Sequence, residues 1–88
     1  RMKIKQGFIL RNVAGNNVVV PVGEATIDFN GMMSLNETGA FLFEKMIEGT
    51  TKEQLIEQLM SQYEIDADTA KNDVEEFIEK VKKENLFE

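Results

Sequence analysis

The 88-residue sequence predicts an α+β fold in which a three-stranded antiparallel sheet is followed by three helices. Two observations carry that reading. Short runs of β-branched and large apolar residues occupy the chain up to Leu35, and beyond Asn36 apolar residues recur at helical spacing through three successive segments. The junction itself, Leu35-Asn36-Glu37-Thr38-Gly39-Ala40, is a third. Asn36 is placed to accept a hydrogen bond from a free amide in the first helical turn, and Leu35 is placed to pack back on Ala40 as a hydrophobic staple.

Phe8 to Val13 forms the first strand, and Ala14-Gly15-Asn16-Asn17 supplies turn chemistry before the second, Val18 to Val22. Pro21 has no amide to give a ladder, which places it near the end of its strand where the partner has stopped. Gly23 to Asp28 is a connector. Phe29 to Leu35 makes the third strand, with Gly31 at a bulge or a close backbone approach. Met32 and Met33 are adjacent, so in a strand they point to opposite faces and one of them leaves the core.

The first helix runs from Glu37 to about Glu48, with Ala40, Phe43 and Ile47 on one stripe, Leu42 and Met46 beside it, and Gly49 as the stop. Thr50 and Glu53 read as a T-x-x-E capping box for the second helix, whose stripe is Leu55, Ile56, Leu59, Met60 and Tyr63. Met46 and Met60, lying on these stripes, are assigned to the core. Asp66 caps the third helix, on a stripe of Ala70, Val74, Phe77, Ile78 and Val81. Lys80, Lys82 and Lys83 collect at the negative end of its dipole, and Asn85 terminates it in left-handed backbone before Leu86 and Phe87.

A chain of this length is expected to make one domain over residues 1–88 and to bury only roughly 60 to 65% of the surface it exposes unfolded. Arg1 precedes Met2 and is read as the remnant of a tag. There is no cysteine and no histidine. Their absence removes thiolate and imidazole chemistry, the common general base and nearly all zinc sites, so the chain is expected to be no enzyme and to hold no cofactor or metal. No apolar run approaches the roughly 20 residues that cross a bilayer, and a cytoplasmic protein without a membrane partner is expected. The net charge of -6 is uneven: residues 1–36 carry four basic and two acidic side chains, hence +2, and residues 37–88 carry six and fourteen, hence -8. An acidic helical half repels phosphate and argues against nucleic acid as a partner.

Candidate chemical motifs are weak. Asp66-x-Asp68 opens like a calcium loop, but Ala70 stands at a ligand position, Lys71 replaces the glycine and Phe77 falls where the bidentate glutamate belongs. Helix capping accounts for those aspartates. Ser34 and Ser61 have no base to activate them, and the six glycines match neither a phosphate loop nor a dinucleotide fingerprint.

Pro21 and Gly23 after a hairpin, Leu35-Asn36-Glu37-Thr38-Gly39, Glu48-Gly49-Thr50-Thr51, Leu59 with Tyr63, Asp73-Val74 with Phe77 and a terminal Leu86 together give nearly the whole chain a pattern. That pattern resembles the pyrroloquinoline quinone synthesis protein D (PqqD) family. Asn85 stands where the family commonly has glycine and Phe43 where tryptophan is frequent. The resemblance implies a winged-helix-like peptide-binding module, the recognition element of ribosomally synthesised and modified peptides. Such a module binds the leader segment of a precursor peptide and presents the rest to a modifying enzyme, commonly a radical S-adenosylmethionine (radical SAM) protein. It also implies that the leader adds as a strand to the third strand, here Phe29 to Leu35, against the third helix, here Asp66 to Glu84.

On this reading the peptide-binding residues are Phe29, Gly31, Met32, Met33, Ser34 and Leu35 on the strand and Lys71, Val74, Glu75, Ile78 and Lys82 on the helix. Lys71 and Lys82 would then pair with acidic groups of the guest. Strand addition suits such a task because unpaired backbone groups are indifferent to guest sequence, while side-chain pockets select. Two alternatives stay open: a winged-helix DNA-binding regulator, for which a third helix with seven acidic and four basic residues is poorly charged, and a structural adaptor or dimerisation module. The oligomeric expectation is a monomer or a weak homodimer.

Overall fold

The computed structural model describes every residue except Asn30. Its elements run β1 (Phe8–Val13), β2 (Asn16–Pro21), α1 (Ala25–Asp28), β3 (Met33–Leu35), α2 (Glu37–Glu48), α3 (Lys52–Gln62) and α4 (Ala67–Lys83). The sheet is antiparallel in the order β1-β2-β3, and the three long helices follow it, as the sequence predicts.

Val13 pairs with Asn16, so only Ala14 and Gly15 connect β1 to β2. Both have positive φ, 52° and 84°, the two-residue turn whose twist matches antiparallel strands. The sequence placed the turn over four residues and started β2 two residues late; Asn12 explains the tighter form, because its Oδ1 accepts from the Gly15 amide at 3.2 Å. Pro21 ends β2 opposite Phe8, beyond the last β3 pairing at Val19, so its missing amide breaks no ladder.

The connector, whose shape the sequence left open, contains one helical turn, Ala25–Asp28, with Ala25 set against Gly7 just ahead of β1. Gly7 permits this. Its φ is +94°, and a Cβ there would stand 2.7 Å from the Ala25 Cβ, so no other residue fits without movement. The third strand is also shorter than expected, Met33–Leu35 rather than Phe29 to Leu35. Phe29 instead turns its ring edge onto Phe8, with centroids 5.2 Å apart at 87°, and Gly31 forms a bend with φ 109° and open space around it. The remaining residue of that span, Asn30, lies outside the described residues.

Helix α2 has the predicted limits. Asn36 Oδ1 accepts from the Gly39 amide at 2.8 Å, and Gly49 ends the helix at φ 98°. Leu42, Phe43 and Met46 are buried, whereas Ile47, predicted on the stripe, is 37% exposed. The cap of α3 falls one residue later than predicted. Thr51 and Gln54 form the reciprocal box, because Thr50 is held in a backbone bridge to Met2 and is itself buried. Only Leu55 and Leu59 of α3 are fully buried; Met60, assigned to the core from its spacing, is 39% exposed. Asp66 caps α4 through the Thr69 amide at 2.8 Å, and Asn85, at φ 59°, turns the chain so that Leu86 is completely buried.

One core joins these layers. Val19, Met33 and Leu35 of the sheet meet Leu42, Phe43 and Met46 of α2, Leu55 and Leu59 of α3, and Ala70, Val74, Phe77 and Val81 of α4. The first residues close it from outside. Ile4 is buried, its amide bonds to the Met46 carbonyl at 3.0 Å, and the Lys5 amide bonds to the Leu86 carbonyl at 2.8 Å.

Candidate functional site

β3 is short and lies at the end of the sheet. On one side β2 pairs with it, Val19 with Met33, Val18 with Ser34 and Asn17 with Leu35. Among the described residues no strand pairs with its other side, and the N-terminal segment, which bridges to Thr50 and Phe87, does not cover it. Alternation sets its faces: Met33 and Leu35 enter the core and Ser34 is exposed. Met32 precedes the strand and is 68% exposed, so the adjacent methionines separate into one core residue and one surface residue.

Between the end of β3, the start of α2 and one face of α4 lies a cavity of about 540 Å³. Leu35, Leu42 and Phe77 are its apolar members, Asn36, Thr38 and Gly39 come from the α2 cap, and Asp73, Glu76 and Lys80 come from α4. Residues 73, 76, 77 and 80 follow i, i+3, i+4, i+7 and therefore share a helix face. A Cβ built on Gly39 would lie 3.2 Å from Phe77 Cε1 and 3.1 Å from Asn36 Oδ1, so glycine lets the first turn of α2 approach α4 closely. Lys80 reaches across to the strand, where its Nζ donates to the Ser34 carbonyl at 3.2 Å.

The helix residues predicted from sequence lie elsewhere. Val74 is wholly buried in the core. Glu75, Ile78 and Lys82 line a different cavity, of about 670 Å³, with the N-terminal residues, Lys52 and the C-terminal Phe87 and Glu88. Glu75 is ion-paired with Lys52, which holds its carboxyl below the ordinary range, and Lys82 pairs with Glu79 at 3.6 Å. Lys71 is exposed. The stripe of α4 is legible in the sequence, but which of its two flanks meets β3 depends on how the helix docks across the core. Asp73, Glu76 and Lys80 were thus missed as lining residues, although their spacing from Phe77 is the signal that places them.

Among the described residues no group of three or more acidic side chains is arranged to hold a metal ion, and no helix is long and apolar enough to cross a membrane. Tyr63 stands apart from the cavity, with its hydroxyl directed at Glu37 at 3.4 Å; desolvation and that carboxylate push its phenol up, away from use as a base near neutrality.

The family profile of coenzyme PQQ synthesis protein D (PqqD) matches residues 12–86, most of the chain and all of the elements that form this cavity. The chain belongs to the PqqD family. Two solved structures share the fold of this PqqD-family protein. One is described as TbiB1 in complex with the TbiA(beta) leader peptide, with a TM-score of 0.75 and 18% identity over 99% of this chain and 95% of the other. The second, lasso peptide synthetase B1 complexed with the leader peptide, gives 0.73 and 15% over 99% and 96%. At these identities the likeness is one of fold. No curated protein matches the sequence. The PqqD profile begins within β1, yet Ile4 and Phe8, ahead of the match, belong to the same core as the residues inside it.

Proposed function

We propose that this PqqD-family chain is a non-catalytic module that captures the leader segment of a ribosomally made precursor peptide by strand addition along β3. It then presents the remainder of the precursor to a modifying enzyme, of the radical SAM type, in the cytoplasm. The observation that carries this reading is the unpaired side of β3 beside a cavity walled by α4. Two relatives of the same fold are complexed with leader peptides, which supports the same guest class here.

The physical division of labour is between backbone and pocket. Each added backbone hydrogen bond contributes about 0.5 to 1.5 kcal/mol whatever the guest sequence. Leu35, Leu42 and Phe77 offer an apolar seat where a guest side chain gains about 1.5 to 3 kcal/mol on burial. Ordering the guest consumes about 2 to 5 kcal/mol, so the affinity should be on the order of micromolar, suited to a carrier that must release. Ser34, exposed and on the strand, is the β3 residue whose surroundings report binding, since Met33 and Leu35 are buried in the core.

The direct experiment titrates the chain with synthetic leader peptides, taken from any short reading frames found near its gene, and follows amide exchange by NMR. Micromolar binding with slowed exchange at Ser34, whose amide faces the open side while Met33 and Leu35 pair with Val19 and Asn17, is expected. Absence of binding, or protection confined to the cavity beside Lys52 and Phe87, would exclude β3 as the receiving edge.

A further inference from the structure

We infer that the guest carries a Lys or Arg beside its apolar anchor and that Asp73 is the residue that selects it, an inference that rests on the leader-binding reading above. The sequence suggested the opposite polarity, with Lys71 and Lys82 receiving acids, but neither lysine lines the cavity beside β3. Its charged members are Asp73, Glu76 and Lys80. Among the described residues neither carboxylate is in an ion pair, and Asp73 is half-buried next to Phe77 while Glu76 is exposed.

Lys80, the one cation of this wall, donates to the Ser34 carbonyl, an acceptor on the strand that a guest would join. A guest amide that takes this carbonyl releases the ammonium, and Glu76, four residues before Lys80, is placed to receive it in the favourable Glu-to-Lys order. Lys80 and Glu76 then neutralise each other, and Asp73 is left as the uncompensated charge facing the guest. An acidic guest side chain there would meet a half-buried carboxylate, a like-charge contact that selects against the wrong partner.

The test pans a phage-displayed library of random dodecapeptides against the full chain. Binders are kept when, as synthetic peptides, they shift the amides of Met33 to Leu35 and of residues 73–80. The expected result is enrichment of Lys or Arg at one fixed distance from an aliphatic or aromatic residue. Replacing that cation by Gln should weaken binding about two- to tenfold, the scale of a partly exposed ion pair. Asp73→Asn should abolish the difference between the Lys and Gln peptides, whereas Glu76→Gln should preserve it. Binders that favour Asp or Glu, that show no charge preference, or whose cation effect survives Asp73→Asn overturn this inference alone. A library yielding no binder at those amides overturns it together with the leader-binding reading.

Discussion

Gly39 and Phe77 meet where α2 starts against α4, with room at Gly39 for a hydrogen but not for a free side chain: a Cβ there would stand 3.2 Å from the phenyl ring. Since both residues line the cavity beside β3, their contact sets how closely the two helices approach at the site. Gly39→Val must push Phe77 or the α2 cap outward and is expected to cost about 1 to 3 kcal/mol, the usual range for overpacking. Urea unfolding checks the stability. A variant as stable as the parent would mean that the helices separate without penalty.

Met33 is the wrong place to insert a charge as a probe of the edge. It is 7% exposed in the core, so Met33→Asp buries a carboxylate without a partner and should lower stability by about 3 kcal/mol or more. Circular dichroism on heating reads this directly. Loss of binding in that variant would report unfolding; Met32→Asp, at an exposed residue, should leave the melting temperature within a few degrees of the parent.

Ala14 occupies left-handed backbone at φ 52°, where a Cβ is disfavoured, and its neighbour Gly15 shares the turn. Ala14→Asn, the residue type such two-residue turns prefer at that position, should stabilise the hairpin by about 0.5 to 1 kcal/mol. A shift of the urea midpoint to higher concentration with an unchanged slope is the expected outcome.

Ile4 lies outside the residues that the PqqD profile matches, yet it is only 3% exposed and its amide is bonded to Met46. Ile4→Ala should cost about 2 to 5 kcal/mol, as for other large-to-small changes in a core. A loss below about 1 kcal/mol by chemical denaturation would show that the N-terminal segment is peripheral to folding.

The acid limb of stability should trace to two carboxylates. The Thr69 amide holds Asp66 below its ordinary 3.8, and the Lys52 ammonium holds Glu75 below its ordinary 4.5. A depressed folded pKa adds stability that is complete above the unfolded value and disappears as pH falls through the folded one. The melting temperature should therefore lose this contribution below about pH 4.5 and continue to fall below 3.8. Asp66→Asn, which keeps an oxygen acceptor for the cap, should flatten the lower part of that limb; an unaltered acid limb would remove Asp66 from the account.

The sheet-then-helices order, the Asn36 and Asp66 caps, the Gly49 and Asn85 stops and the buried Phe43, Phe77 and Val81 were legible because local chemistry fixes them: a cap needs a side-chain oxygen at one position, and a buried stripe needs a period. The register of the first cap of α3 was not, because Thr50 and Thr51 are equivalent locally and only the distant Met2 bridge tells them apart. Met60 and Ile47 likewise lie at helical spacing but on flanks that no other element covers fully.

By itself, the sequence determined that this chain builds a small acidic α+β fold of the PqqD kind, with a third strand next to a capped helix. Tertiary structure alone decided that the α4 face beside β3 is Asp73, Glu76, Phe77 and Lys80 rather than Glu75, Ile78 and Lys82. The reason is geometric: at about 100° per residue the two sets fall on opposite sides of the buried stripe of Ala70, Val74, Phe77 and Val81, and only the docking of that stripe across the core, with Phe77 against Gly39, decides which side meets β3.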